Sequence, residues 1–60
     1  MQVRTLYSSP FFVSMHIYDV VERIVDYNNE DDDGNPIIYY TIKNERGEEV
    51  QIDSELCEEI

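Results

Sequence analysis

A chain of 60 residues makes at most one domain, and fourteen Asp/Glu against four Lys/Arg give it a net charge of −10. A field of that sign repels nucleic acid and anionic membranes and attracts basic surfaces. It also exceeds the magnitude of about 2–8 that keeps an ordinary small domain in solution.

Taken in chain order, MQVRTLY (1–7) reads as a strand, ended by Ser8-Ser9-Pro10 because proline has no N–H to give a ladder. In IYDVVERIVDY (17–27), Ile17, Val20, Val21, Ile24 and Val25 fit a helical stripe, whereas Glu22 and Arg23 each break one face of a strand. Against the helix stand five β-branched residues in eleven and the absence of Ala, Leu and Lys. A strand over 19–27 is the preferred reading. A helix over about 10–27, with Pro10 at its first position, is the alternative. Residues 28–36 then form an acidic loop.

The second half is clearer. IIYYTIKN (37–44) alternates, with Ile38, Tyr40 and Ile42 on one face. EEVQID (48–53) sets Val50 and Ile52 against Glu49, Gln51 and Asp53. Glu45-Arg46-Gly47 lies between them, and its glycine supplies the positive φ of a tight hairpin. SELCEEI (54–60) opens with a cap, Asp53 or Ser54, and predicts one short helical turn with Leu56 and Ile60 reaching back to the core.

The residues that carry chemistry are few. Cys57 is the one cysteine, so no intramolecular disulfide forms, and a reducing, cytoplasmic setting is expected. His16 is the one histidine, which leaves no Cys/His set for zinc and no motif around a nucleophile. Placing Gly34 at the sixth position of an EF-hand loop puts Asn29, Asp31 and Asp33 where ligands belong, but Tyr40 where the bidentate glutamate should be. Weak divalent binding through residues 30–33 is a minor reading. No cofactor, no metal and no catalysis are expected. No signal peptide and no apolar run of membrane-spanning length are present. A domain this small buries only about 60% of the surface of its unfolded chain. Self-association into a homodimer is therefore a further expectation.

Charge is unevenly spread: residues 1–27 sum to −1 and residues 28–60 to −9. Glu30, Asp31, Asp32 and Asp33 in the loop, with Glu48, Glu49, Asp53 and Glu55, are the candidate contacts for a basic partner. In this reading Glu49, Gln51 and Asp53 form a row, with Glu48 at the turn, that the loop extends at one end and Glu55, Glu58 and Glu59 at the other. Tyr27 and Tyr39 are candidate anchors, since tyrosine is favoured in interface cores.

Two family resemblances bear on the fold. Strand, long loop, strand, second loop, tight hairpin and terminal turn, with Tyr18-Asp19-Val20-Val21 and Glu45-Arg46-Gly47-Glu48, resemble an SH3-like small barrel. That implies a mainly β fold of about five strands over residues 1–60, with a short C-terminal helical turn. Signalling SH3 domains bind proline-rich peptides through a tryptophan, and this chain has none, so the likeness is one of fold. Tyr18-Asp19-Val20, Asp31-Asp32-Asp33-Gly34 and Tyr39-Tyr40 are similar to a series in the uracil-DNA glycosylase inhibitors of Bacillus phages. Those proteins mimic DNA and pack a helix on a sheet, so this likeness implies the alternative α+β fold, one helix on a three-stranded antiparallel sheet.

The expectation is a phage-encoded or mobile-element protein that blocks a nucleic-acid-binding enzyme or defence factor with its acidic face. Its rival is an assembly module that packs through Phe11, Phe12, Met15 and Ile17.

Overall fold

The computed structural model describes all 60 residues, Met1–Ile60. Five strands form one antiparallel sheet: β1 (Gln2–Thr5), β2 (Ile17–Glu30), β3 (Pro36–Lys43), β4 (Glu49–Asp53) and β5 (Cys57–Glu59). A 3-10 turn at Ser54–Leu56 joins the last two. The strand order is β4-β3-β2-β1-β5, and β4 and β5 do not pair, so the sheet is open. The fold is mainly β. No helix is long and apolar enough to cross a membrane.

The alternative helix over 10–27 is absent, and with it the helix-on-sheet arrangement implied by the inhibitor resemblance. Residues 17–27 lie inside β2. Their β-branched side chains pack more freely on an extended backbone than against a helical turn. The interrupted alternation has a local cause. The register with β3 shifts between Val20↔Ile42 and Glu22↔Thr41, so Val21 is an extra residue and the two faces exchange there. Val21 is consequently 53% exposed.

A second shift follows, between Asp26↔Ile37 and Glu30↔Pro36. The expected loop at 28–36 is shorter than its sequence implied, because β2 runs on to Glu30 and only Asp31–Asn35 turn. Drawn straight, fourteen residues at about 3.3 Å each would span roughly 43 Å, while the molecule is 33 Å along its longest axis. Strand β2 must bend, and a bulge is a natural place for it.

The core takes a residue from every strand: Val3, Tyr18, Tyr40, Ile42, Ile52 and Cys57, with Phe12 from the first loop. Leu56 and Ile60, expected to reach inward, are 43% and 59% exposed, and Cys57 is buried instead. The 3-10 turn ends after one round, and the chain resumes as a strand that pairs Cys57 with Thr5. Its start is as expected: Asp53 caps it by accepting the Glu55 N–H at 2.9 Å.

The long loop after β1 is fastened at both ends. Thr5, fully buried, donates its hydroxyl to the Val13 carbonyl, and its amide donates to His16 O at 3.0 Å. Further out, Asn44 is the fastening point. Its Nδ2 donates to Phe11 O at 2.9 Å, while its Oδ1 accepts from Arg46 N (3.1 Å) and Glu48 N (2.9 Å). One buried amide thus closes the hairpin turn and holds the loop against it, and Gly47, at φ 78°, lets the turn close.

Replacing Asn44 by alanine strips these groups of their partner in a part-buried place, at a cost of about 1–3 kcal/mol each where no water reaches. Asn44→Ala is expected to lower unfolding stability by about 2 kcal/mol or more, read as a drop in the urea midpoint by circular dichroism. An unchanged midpoint would show that the loop does not depend on Asn44.

Candidate functional site

The antiparallel hairpin decides which acids are neighbours. Strand β3 leaves the turn Asp31–Asn35, and β4 returns toward it, so Asp53 at the end of β4 lies opposite Tyr39. The following 3-10 turn then places Glu55 beside the acidic turn. A cleft of about 400 Å³ results, floored by Pro36, Ile37 and Ile38 and rimmed by Asp31, Asp53 and Glu55. Next to it a second depression is bounded by Asp31, Asp32, Asp33, Ile37 and Glu55.

This corrects the row of acids expected from the sequence. Glu55 does not extend the row beyond Asp53 away from the loop. It closes back on the loop, because an antiparallel strand returns to where its partner began. Glu48 and Glu49 lie at the far end of the hairpin, about 13 Å away by strand rise. There Glu49 faces Lys43 in the ladder, and Glu48 meets Arg46 Nε at 3.0 Å. The eight candidate acids therefore divide into a group at the β2–β3 turn (Glu30, Asp31, Asp32, Asp33, Asp53, Glu55) and a pair at the β3–β4 turn.

The acidic turn organises itself. Asp31 Oδ1 accepts the amides of Asp33 and Asn35, both at 2.9 Å, and Gly34 takes φ 83° to let the chain reverse. No three His, Cys, Asp or Glu side chains stand close enough together to hold a metal ion. The Asp31 carboxylate is occupied with its own turn, and Asp32 and Asp33 point to solvent.

Of the two candidate anchors, Tyr39 is half-buried in β3. Tyr27 is 80% exposed, in the irregular stretch between Asp26 and Glu30. That stretch is held by Asp26, whose carboxylate accepts the Asn29 side-chain amide at 2.7 Å and the Asn28 N–H at 3.0 Å. Those two donors keep the Asp26 carboxyl below its ordinary range.

Sequence reasoning missed a second polar group, at the other end of the hairpin. The Tyr18 hydroxyl donates to Glu45 and accepts the Val13 N–H at 2.9 Å, and His16 Nε2 lies 3.9 Å from the same carboxylate. The His16 and Tyr18 rings stand 4.8 Å apart. Arg46 adds a bond to Pro10 O at 2.8 Å. These contacts lash the first loop to the hairpin turn. An asparagine ahead of Glu45-Arg46-Gly47 was the available signal, since asparagine at that place bonds the turn's own amides. Nothing local pointed to Tyr18 and Glu45, which are 27 residues apart.

Burial, the hydrogen bond to Glu45 and its charge together raise the Tyr18 hydroxyl above the usual tyrosine value. The same hydrogen bond lowers Glu45 below the usual carboxylate value. Burial, with Asp53 nearby, pushes the Cys57 thiol up, away from the reactive thiolate. Compared with family models, with curated proteins and with solved structures, the chain gives no match in any of the three.

The paired shifts set two pH limits. Glu45, depressed on folding, contributes stability above its unfolded value, and that contribution is lost as pH falls through the folded one. Tyr18, raised on folding, contributes below its unfolded value near 10, and the contribution is lost as pH rises through the folded one. Ultraviolet titration of the native protein is expected to show Tyr18 ionising above the usual tyrosine value. Glu45→Gln removes the charge and should lower the Tyr18 midpoint in part, burial keeping the rest of the shift, and an unaltered titration would remove the link.

Proposed function

We propose that this chain is a non-catalytic, cytoplasmic binding protein whose acidic face occupies a basic surface of a nucleic-acid-binding enzyme or defence factor. The observation that carries the reading is the convergence of five acids on two adjoining depressions, Asp31, Asp53 and Glu55 at the apolar-floored cleft and Asp32 and Asp33 at the one beside it. None of these five is ion-paired; of the fourteen acids only Glu48 and Glu58 lie within 4 Å of an arginine nitrogen, and Glu45 within 4 Å of His16. A lysine or arginine suits such a place. Its aliphatic stem lies on Ile37 and Ile38 while its charged head meets the rim.

A duplex carries one negative charge per about 1.7 Å of axis. A compact acidic body can therefore stand in for it in a cleft that holds phosphates, drawn there by the same long-range attraction. Tyr27, beside the acidic turn and widely exposed, supplies an aromatic anchor of the kind that dominates interface energies. Glu48 and Glu49 face local cations and form a secondary contact at most.

The strand order β4-β3-β2-β1-β5 and the 3-10 turn before β5 support reading the open sheet as SH3-like. That layout suits the rival function, an assembly module. Phe11, Met15 and Ile17 are exposed and favour it, whereas Phe12 is buried in the core and drops out as a contact.

One mutant set separates the two. Glu30→Gln, Asp31→Asn, Asp32→Asn and Asp33→Asn together keep the side-chain carbonyl that holds the turn and remove four charges. Partner binding, recovered from a bacterial lysate with the protein as bait and eluted by salt, is expected to fall several-fold and to lose salt dependence. Unchanged binding and salt slope would reject the acidic face. Phe11→Ser with Met15→Ser should leave binding intact and dissolves an assembly only if the rival reading holds.

A further inference from the structure

We propose that Asp33 is a site of spontaneous covalent modification, where the peptide bond to Gly34 migrates from the α-carboxyl to the β-carboxyl through a cyclic succinimide. No partner is needed, so this chemistry stands apart from the acidic-surface reading above.

The chain has six aspartates, and their surroundings set this one apart. Asp19 accepts from the Gln2 side chain at 3.0 Å and Asp26 from Asn29 at 2.7 Å. Asp31 accepts the amides of its own turn, and Asp53 accepts the Glu55 N–H at 2.9 Å. Asp32 and Asp33 are exposed, with their carboxylates turned to solvent. Of these two, only Asp33 is followed by a glycine. Ring closure is easiest at that junction, because glycine has no side chain to shield the attacking nitrogen and moves most freely. Gly34 is itself exposed at φ 83°, and the place where a Cβ would stand has no neighbour within 4 Å. Room for the ring is there.

The atoms balance with water alone. Gly34 N bonds to the carboxyl carbon of the protonated Asp33 side chain, and the amide proton leaves with the carboxyl's hydroxyl as water. A second water then adds at the Asp33 main-chain carbonyl and breaks its bond to Gly34 N. Mass and net charge are unchanged, and the main chain gains one methylene. The Gly34 N–H must first release the Asp31 carbonyl, a bond of 3.1 Å. That release leaves the ladder alone, because the turn Asp31–Asn35 lies beyond the pair Glu30↔Pro36. The inserted methylene pushes Asn35 away from Asp31 Oδ1, which holds the Asn35 amide at 2.9 Å in the unmodified turn.

The test incubates the folded, full-length protein at body temperature and mildly acid pH for several weeks. Peptide mapping with an isoaspartyl-specific carboxyl methyltransferase is expected to find several-fold more isoaspartate at position 33 than at any other aspartate. A transient species lighter by one water should accompany it. Asp33→Glu, which keeps the charge and Gly34, should abolish both. The separated product should exchange its Asn35 amide several-fold faster than the parent. Asn44→Ala, which loosens the far end of the hairpin, should react at the parent's rate. A rate that rises with that loss of stability would show global unfolding to be the cause and would overturn the turn as the site. Isoaspartate absent at 33, while a free peptide of residues 30–36 forms it, would show that the turn's bonds protect Asp33. Equal isoaspartate at Asp32 would overturn the part given to Gly34.

Discussion

Both halves of the sheet hang on a single segment, β2. Its first residues bond β1 and its later ones bond β3, so β1 and β5 meet β3 and β4 through that strand alone. A straight strand of fourteen residues would splay these pairs apart and leave no shared interior. The register shifts at Val21 and beyond Asp26 are natural places for that strand to bend, and Val3 and Cys57 pack in one cluster with Ile42 and Ile52.

The interior is small, with seven apolar side chains buried, and the charge works against it. Surface ion pairs contribute little, and only two arginine–carboxylate pairs occur, Arg4–Glu58 and Arg46–Glu48, each between exposed or half-exposed groups. Directed polar bonds do more of the fastening. Asn44, Tyr18 and Thr5 hold the first loop, and each is buried or backed by a buried neighbour. They cluster at the end of the hairpin where Lys43 and Arg46 offset nearby acids. The unpaired carboxylates collect at the other end. The molecule is polarised, with a fastened end and a charged end.

How much of this was legible depends on the range over which the cause acts. The β3–β4 hairpin followed from alternation in Ile38, Tyr40 and Ile42 against Val50 and Ile52 and from Gly47, all within one turn's length. The cap at Asp53 was equally local. The helix-or-strand question at 17–27 was harder, because the face exchange at Val21 imitates a helical stripe over a few residues. The position of Glu55 was misplaced because residues 31 and 55 become neighbours only through the return of β4. Cys57 took the buried place expected for Leu56 because the final turn stops early in favour of pairing with β1.

By itself, then, the sequence determined a mainly β chain, its hairpin, its terminal turn and an acid surplus concentrated in the second half. Composition and short-range backbone preferences are sufficient for each. The tertiary structure alone decided which acids share a cleft and which side chains bolt the first loop to the hairpin. Those outcomes come from contacts between residues some twenty to thirty positions apart. The free energy of such contacts depends on how the whole sheet closes, and no local pattern records it.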